Sequence, residues 1–186
     1  AERAKAQAAF ADYGQYLDSL EMTATIKGFE PLYIQRIAQL TNKSNQFNLT
    51  TLRCSEDDIR AMAGDKNDLC LCGKLVDKFG DNGIVAVVAG RQQGDVLDLT
   101  LWLMSCRVLK RGMEDAMMDT VVAEAAARGV KTIVGHYYPT AKNAMVREFY
   151  AQYDFAKTAE DADGNTEWTL DVAAYTPKHP HMKIER

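Results

Sequence analysis

The 186-residue chain has no long hydrophobic run, only four prolines and no excess of positive charge. None of its apolar runs approaches the roughly 20 residues that a membrane-spanning helix needs, and its N-terminus lacks the basic-then-apolar order of a secretion signal. With a formal net charge of -4 at pH 7, it offers no overall basic field to nucleic acid or to an anionic membrane. We therefore expect a cytoplasmic protein that binds neither.

Cysteine and histidine are too scattered for a structural zinc site. The four cysteines, Cys54, Cys70, Cys72 and Cys106, form no CxxC pair, and the three histidines are not clustered with them. Cys70 and Cys72 alternate along one predicted strand, so they point to the same face and cannot readily form a disulfide. The sequence predicts four reduced thiols and no metal.

Apolar residues make up 47% of the chain, which is enough to bury one core. The charged, Ala-rich residues 1–20 have helical spacing, and we interpret them as a connector helix from a preceding domain. Residues 21–175 are expected to form the domain. The Pro-containing tail, residues 176–186, is expected to be loosely held.

Residues 21–175 switch repeatedly between the period of strands and that of helices. Because consecutive strands joined by short turns are antiparallel, we expect a mixed α/β (α+β) fold with a central, mostly antiparallel sheet flanked by helices. The predicted order is strand 22–26, helix 31–40, polar loop 41–51, helix after Ser55, strands 67–76, 83–90 and 95–106, helix 111–129, strand 130–137, helix 140–153, and strands 154–159 and 167–172.

The stretch SCRVLKRGMED, residues 105–115, follows a predicted strand and opens a predicted helix. This order resembles the GNAT (acyl-CoA N-acyltransferase) fold, in which the first backbone N–H groups of this helix hold the pyrophosphate of coenzyme A. Arg111 and Gly112 stand where such a site has a cation and a flexible turn, and Glu114 stands where the family has a second glycine. The resemblance implies cofactor binding by Arg107, Val108, Arg111, Gly112 and Asn143. It also implies that the central strands part there, and that their exposed amide hydrogens receive the thioester on its flexible arm.

A second stretch, KNAMVREFYAQYDF, resembles the GNAT pattern in which an Asn precedes a Tyr by seven residues. The resemblance implies that Tyr150 is the general acid that reprotonates the leaving thiolate. Asp154 replaces the glycine that the family has before its phenylalanine. The alternative interpretation is that Phe149 and Tyr150 are core aromatics.

Three longer strings, QLTNKSNQFNLTT, FGDNG and WLMSCRVLKRGMED, resemble the C-terminal domain of FkbH-like proteins, and the similarity spans Glu21 to Val172. The resemblance implies a HAD-like, phosphatase-type domain before this one in the same polypeptide. It also implies transfer of a three-carbon glyceryl unit to an acyl carrier protein. The HAD signature itself is absent: in VLDLTLW, Val96 stands where the nucleophilic aspartate must be, so we interpret that string as a core strand.

Three further features have a functional and a structural interpretation. The polar loop 41–51 is rich in amide side chains, and this amide-rich loop can bind phosphopantetheine or a hydroxylated acyl group, or it can be a capping loop. Cys106 is a candidate nucleophile beside the helix N-terminus, or a small buried hydrophobe. His136 is a candidate general base, or it anchors the loop before Pro139. The residues predicted to bind substrate are Asn45, Gln46, Asn48 and Thr50.

Together these patterns predict an acyltransferase-type domain that handles a phosphopantetheine thioester, carried by an acyl carrier protein or coenzyme A, without a metal. Two alternatives stay open. One is a non-catalytic module that docks the carrier protein or the HAD-like domain, and the other is an acetyl-CoA-dependent N-acetyltransferase.

Overall fold

The computed structural model describes residues 1–8, 10 and 12–186. Within them an eight-stranded sheet has the order β6-β7-β5-β4-β3-β2-β1-β8. Neighbouring strands are antiparallel except in the β1–β8 and β4–β5 pairs, which are parallel. The strands are β1 Thr23–Lys27, β2 Asp68–Asp77, β3 Gly80–Gln93, β4 Val96–Met104, β5 Thr132–Tyr137, β6 Ala156–Glu160, β7 Thr166–Asp171 and β8 Lys183–Glu185. The helices are α1 Glu2–Ala8, α2 Tyr13–Ser19, α3 Ile34–Lys43, α4 Glu56–Gly64 and α5 Met113–Ala127.

The middle of the sheet is covered on both faces, because α3 and α4 pack on one side and α5 on the other. Ile37 and Ile59 join a buried cluster with Val87 and Leu103 on the first face. On the second face, a Cβ added at Gly73 of β2 would overlap Met113 of α5. No helix within the described residues is both long and apolar enough to cross a membrane.

Local signals in the sequence place several element ends correctly. Ser55 and Asp58 form the predicted capping box at the start of α4, since each side chain bonds the backbone N–H of the other. Gly129 follows α5 with φ +78°, a left-handed conformation that glycine adopts without strain.

The predicted helix over residues 140–153 is wrong. Two short 3₁₀ turns, Ala144–Val146 and Tyr150–Tyr153, take its place. The Thr140 hydroxyl accepts hydrogen bonds from the Lys142 and Asn143 amides, and such local side-chain bonds compete with a helix.

Both ends of the chain also differ from expectation. Residues 1–20 form two helices rather than one, and Asp12 caps the second by accepting a bond from the Gly14 amide. The tail is held by the Asp119 carboxylate, which accepts bonds from the Lys178 and His179 amides. Its last strand, β8, then pairs with β1. The carboxylate that anchors this tail lies on α5, far away in sequence.

Gly135 of β5 lies so close to the Tyr150 ring that a larger side chain there should destabilise the fold. A Cβ added at Gly135 would lie 2.5 Å from Tyr150 Cζ, so Gly135→Ala overpacks the core. We expect it to lower the free energy of unfolding by about 1–3 kcal/mol in urea denaturation. Gly64→Ala is the matched control because nothing lies within 4 Å of its added Cβ, and it should change stability by less than about 1 kcal/mol. Equal midpoints for the two variants would contradict this packing.

Candidate functional site

A cleft of about 780 Å³ lies where β4 ends, beside α3 and the loop that follows it. The exposed thiol of Cys106 lies in this cleft and donates a hydrogen bond to Gln46 Oε1, with an Sγ–O distance of 3.1 Å. Asn45 also lines it. Two predicted substrate-binding amides and the predicted nucleophile are thus brought together.

The cleft is basic, although the chain as a whole is acidic. Four basic side chains line it, and no carboxylate among the described residues does. Within the described residues none of the four lies within 4.0 Å of a carboxylate oxygen; Arg107, for example, donates to the Asn82 carbonyl, and Arg36 donates to Gln39 Oε1. The four are Arg36, Lys43, Arg107 and Lys142. Their uncompensated charge favours an anionic ligand.

The loop after α3 is held in place by the Arg53 guanidinium. This group donates to the Thr41 and Ser44 carbonyls and, at 2.6 Å, to Asn45 Oδ1. It therefore satisfies carbonyl groups that the end of α3 leaves without helical partners. A smaller cavity of about 320 Å³ adjoins the cleft and shares Asn45 and Lys142 with it.

Cys106 is also the accessible thiol of the four. Cys54 and Cys72 are buried and Cys70 is partly buried. Burial raises the pKa of Cys70 to about 12 and that of Cys72 to about 11, and it raises the pKa of Cys54 as well. Since the thiolate is the reactive form, these three are poor nucleophiles. No group of three or more His, Cys, Asp or Glu side chains in the described part of the chain is arranged to hold a metal.

The other two predicted substrate-binding residues lie outside the cleft. Asn48 is fully buried; its amide donates to the Ser44 carbonyl and accepts from the Thr51 amide. Thr50 donates its hydroxyl hydrogen to the Thr100 carbonyl on β4. The Thr50 side chain holds the loop against β4, and the Asn48 side chain bonds within the loop itself.

The predicted cation Arg111 does not present its charge to a ligand. It is 6% exposed, and it donates to Asp77 Oδ2 at 2.9 Å and to the Arg107 carbonyl. Asp77 also receives a bidentate contact from Arg3 of α1. Burial would raise the pKa of Asp77, but bonds from Arg3 and the Phe79 amide, with the charges of Arg3 and Arg111, lower it overall.

The turn before α5 is held by groups of the chain itself. Glu114 Oε2 accepts a hydrogen bond from the Lys110 amide, and burial raises the pKa of Glu114. The Tyr13 hydroxyl of α2 donates to the Lys110 carbonyl. The tail lies over Gly112, because a Cβ added there would be 3.0 Å from Pro180 Cβ.

The remaining predicted cofactor residues are structural in this arrangement. Val108 is fully buried. Asn143 is also fully buried, and its amide donates to the Asn48 and Tyr138 carbonyls and accepts from the Thr140 amide. Neither lines the cleft at Cys106.

Tyr150 lies in the core. It is 1% exposed, its ring lies against Gly135 and packs on Trp102 and Phe155, and burial raises its pKa. This placement favours the core-aromatic interpretation.

His136 is close to a carboxylate but remote from Cys106. Its Nε2 lies 2.5 Å from Asp98 Oδ1, on neighbouring parallel strands. Met104 lies six positions after Asp98 on β4, a distance on the order of 15–20 Å, and Cys106 lies beyond Met104. The three predicted catalytic residues are therefore not assembled into one site.

No protein-family model matches the chain, and no curated protein matches it in sequence. Solved structures do match its shape. The ribosomal-protein-S18-alanine N-acetyltransferase from Escherichia coli is 16% identical, with a TM-score of 0.60 over 80% of this chain and 94% of that one. The chain has the GNAT acetyltransferase fold.

Two other structures with the GNAT fold agree. An acetyltransferase of the GNAT family from Streptococcus pneumoniae is 14% identical, with a TM-score of 0.58 over 80% of this chain and 98% of that one. Spermidine N-acetyltransferase from Vibrio cholerae, in complex with CoA and spermine, is 9% identical, with a TM-score of 0.60 over 81% of this chain and 96% of that one. The predicted fold class is confirmed.

The GNAT fold of this chain does not fit coenzyme A at the helix N-terminus. A pyrophosphate needs free amide hydrogens and a cation, but the Lys110 amide just before the helix is bonded to the Glu114 carboxylate, and Arg111 is paired with Asp77. The cleft at Cys106 has the charge that the helix N-terminus lacks.

Three of the four cleft cations were not predicted from the sequence. Arg36, Lys43 and Lys142 come from α3 and from the loop after β5, and they meet only when the GNAT fold forms. Their sole signal in the sequence is that Lys43 lies within the amide-rich loop 41–51 and Arg36 lies shortly before it.

Proposed function

We propose that this chain is the acyltransferase-type domain of an FkbH-like protein, and that Cys106 accepts an acyl group from a phosphopantetheine thioester. The observation that supports the proposal is the exposed thiol in a cleft lined by four cations, for which the described part of the chain provides no carboxylate partner. The phosphate of the phosphopantetheine arm, and the acidic surface expected of a carrier protein, complement that charge. The partners in this proposal are an acyl carrier protein and a HAD-like domain of the same polypeptide.

The proposed step needs no cofactor beyond the thioester itself. The Cys106 sulfur attacks the carbonyl carbon, forming a new carbon–sulfur bond. The bond between that carbon and the pantetheine sulfur breaks, and the Cys106 proton ends on the pantetheine sulfur. Gln46 Oε1, which accepts the S–H bond, orients the thiol.

The acyl group in this proposal is a glyceryl or similar three-carbon unit, as the FkbH-like resemblance implies. Its hydroxyl groups need donors and acceptors, and the Asn45 and Gln46 amides in the cleft offer both. A purely apolar acyl chain would make no hydrogen bonds with the N–H groups of those amides.

Intact-mass spectrometry tests the proposal. We expect the chain, incubated with glyceryl-loaded carrier protein, to gain one glyceryl mass at Cys106, and hydroxylamine should remove it because thioesters are labile to that reagent. Carrier binding without an adduct would support the docking alternative instead. Release of an acetylated amine from acetyl-CoA would support the N-acetyltransferase alternative, which the names of the structural neighbours favour.

The charge of the cleft can be tested separately from its thiol. We expect Lys43→Glu combined with Lys142→Glu to weaken carrier binding roughly tenfold or more at low salt, and less at high salt because ions screen exposed charges. Lys66→Glu is the matched control, since Lys66 is exposed just before β2, at the opposite end of the sheet. Titration calorimetry at two ionic strengths gives both values. Equal losses in the control would contradict a specific role for the cleft.

A further inference from the structure

The parallel strands β4 and β5 pair over only three residues and then part. Their register runs from Val96 opposite Thr132 to Asp98 opposite Val134. Beyond that point β4 continues to Met104. We call the gap between the two strands beyond Asp98 the wedge. The resemblance to GNAT proteins implies that exposed amide hydrogens of the parted strands bind the cofactor arm in this gap.

In this chain the wedge is filled by residues 47–50. Asn48 forms an antiparallel bridge with Leu103 of β4. On either side of it, the Leu49 amide donates to the Trp102 carbonyl and the Met104 amide donates to the Phe47 carbonyl, both at 3.0 Å. The open edge of β4 is therefore already hydrogen-bonded.

The same segment is bonded on its other side as well. The Tyr138 amide, just after β5, donates to the Leu49 carbonyl at 2.9 Å, and the Asn143 side chain donates to the Asn48 carbonyl at 2.9 Å. Leu49 and Asn48 are fully buried. A ligand arm would have to displace the main-chain bonds to β4 and the bonds from Tyr138 and Asn143, and it would expose Asn48 and Leu49 to water.

The anion position beside the wedge is closed too. Glu114 accepts the Lys110 amide, and the pyrrolidine ring of Pro180 lies against Gly112. A coenzyme A molecule would meet a carboxylate where its pyrophosphate needs hydrogen-bond donors. Two separate parts of the chain therefore exclude two separate parts of the cofactor.

We propose that residues 47–50 are a stable internal segment that takes the place of the cofactor arm in the wedge, so that coenzyme A does not bind between β4 and β5. An acyl donor then reaches this domain from outside the wedge. This inference does not depend on the proposed function. If Cys106 transfers no acyl group, the proposal that residues 47–50 fill the wedge still holds. If coenzyme A binds in the wedge, that proposal is wrong, and the proposed chemistry at Cys106 is judged by its own experiment.

Hydrogen exchange on the unmodified chain tests this, with coenzyme A alone as the probe. We expect the Leu49, Met104 and Tyr138 amides to exchange roughly 10³-fold or more slowly than those of the exposed turn 161–164, as sheet amides do. We also expect no change at these three amides with about 1 mM coenzyme A, a concentration that would detect a weak site. Rapid exchange at Leu49, or altered protection of residues 47–50 or 100–104 with coenzyme A, would overturn the proposal.

A pair of variants separates the two closures. Glu114→Gly removes the carboxylate from the helix N-terminus, and Glu114→Gln is its matched control. We expect neither to gain coenzyme A binding by calorimetry, because the wedge stays filled. A gain in Glu114→Gly that alters exchange at residues 47–50 would show that only the carboxylate had excluded the cofactor, and the proposal would be wrong.

Discussion

Replacing Cys106 by alanine is expected to reduce acyl transfer by at least about 10³-fold while leaving carrier binding intact, because the variant removes the attacking sulfur and none of the cleft cations. The side chain is exposed, so folding should be unaffected. Single-turnover transfer from a radiolabelled carrier measures the rate, and calorimetry measures binding.

Cys70→Ala is the matched control for that experiment. Cys70 lies in β2, away from the cleft lining, and burial raises the pKa of its thiol. Its loss should leave the transfer rate within about twofold of the parent, as for a residue outside the reaction. Full transfer by Cys106→Ala would refute covalent catalysis and leave docking as the function of the cleft.

Asp77→Asn is expected to lower the free energy of unfolding by about 3–5 kcal/mol, because it leaves the buried Arg111 guanidinium without its counter-charge. Arg3→Gln should cost less, about 1 kcal/mol or below, since the Arg3 side chain is 37% exposed. Glu160→Gln, in an exposed pair with Lys157, is the control and should fall within about 0.5 kcal/mol. Urea denaturation at neutral pH ranks the three.

The effect of Asp77 should also depend on pH in one direction. Because its folded-state pKa is below the ordinary carboxyl value, its contribution is complete above that ordinary value and is lost as the pH falls through the folded-state pKa. The stability difference between the parent chain and Asp77→Asn should therefore shrink in acid. A stability difference that grew on acidification would contradict the ion pairs of Asp77 with Arg3 and Arg111.

Much of the fold follows from short-range patterns. The capping box at Ser55, the glycine after α5 and the three-strand meander β2–β4 each depend on residues close in sequence, so the sequence predicts them. The failure at residues 140–153 has the opposite cause. Helical spacing there reflects aromatic residues packed on the sheet, not a continuous hydrogen-bonded helix.

The candidate site divides in the same way. Cys106 and Arg107 lie together in sequence, and the loop with Asn45 and Gln46 stands out by composition, so each could be identified separately. That these residues meet in one cleft could not be predicted, because it depends on how the loop after α3 packs against β4. The role of Asn48 was unpredictable for the same reason: an amide in a polar loop gives no sign that it will be buried in a sheet.

The pairing of β8 with β1 brings residues 23 and 183 side by side. β8 covers the edge of β1 and is itself only three residues long, so this side of the sheet offers little open main chain to a strand from a second molecule. Removing residues 183–185 would uncover β1 and is expected to favour edge-to-edge association of the sheet.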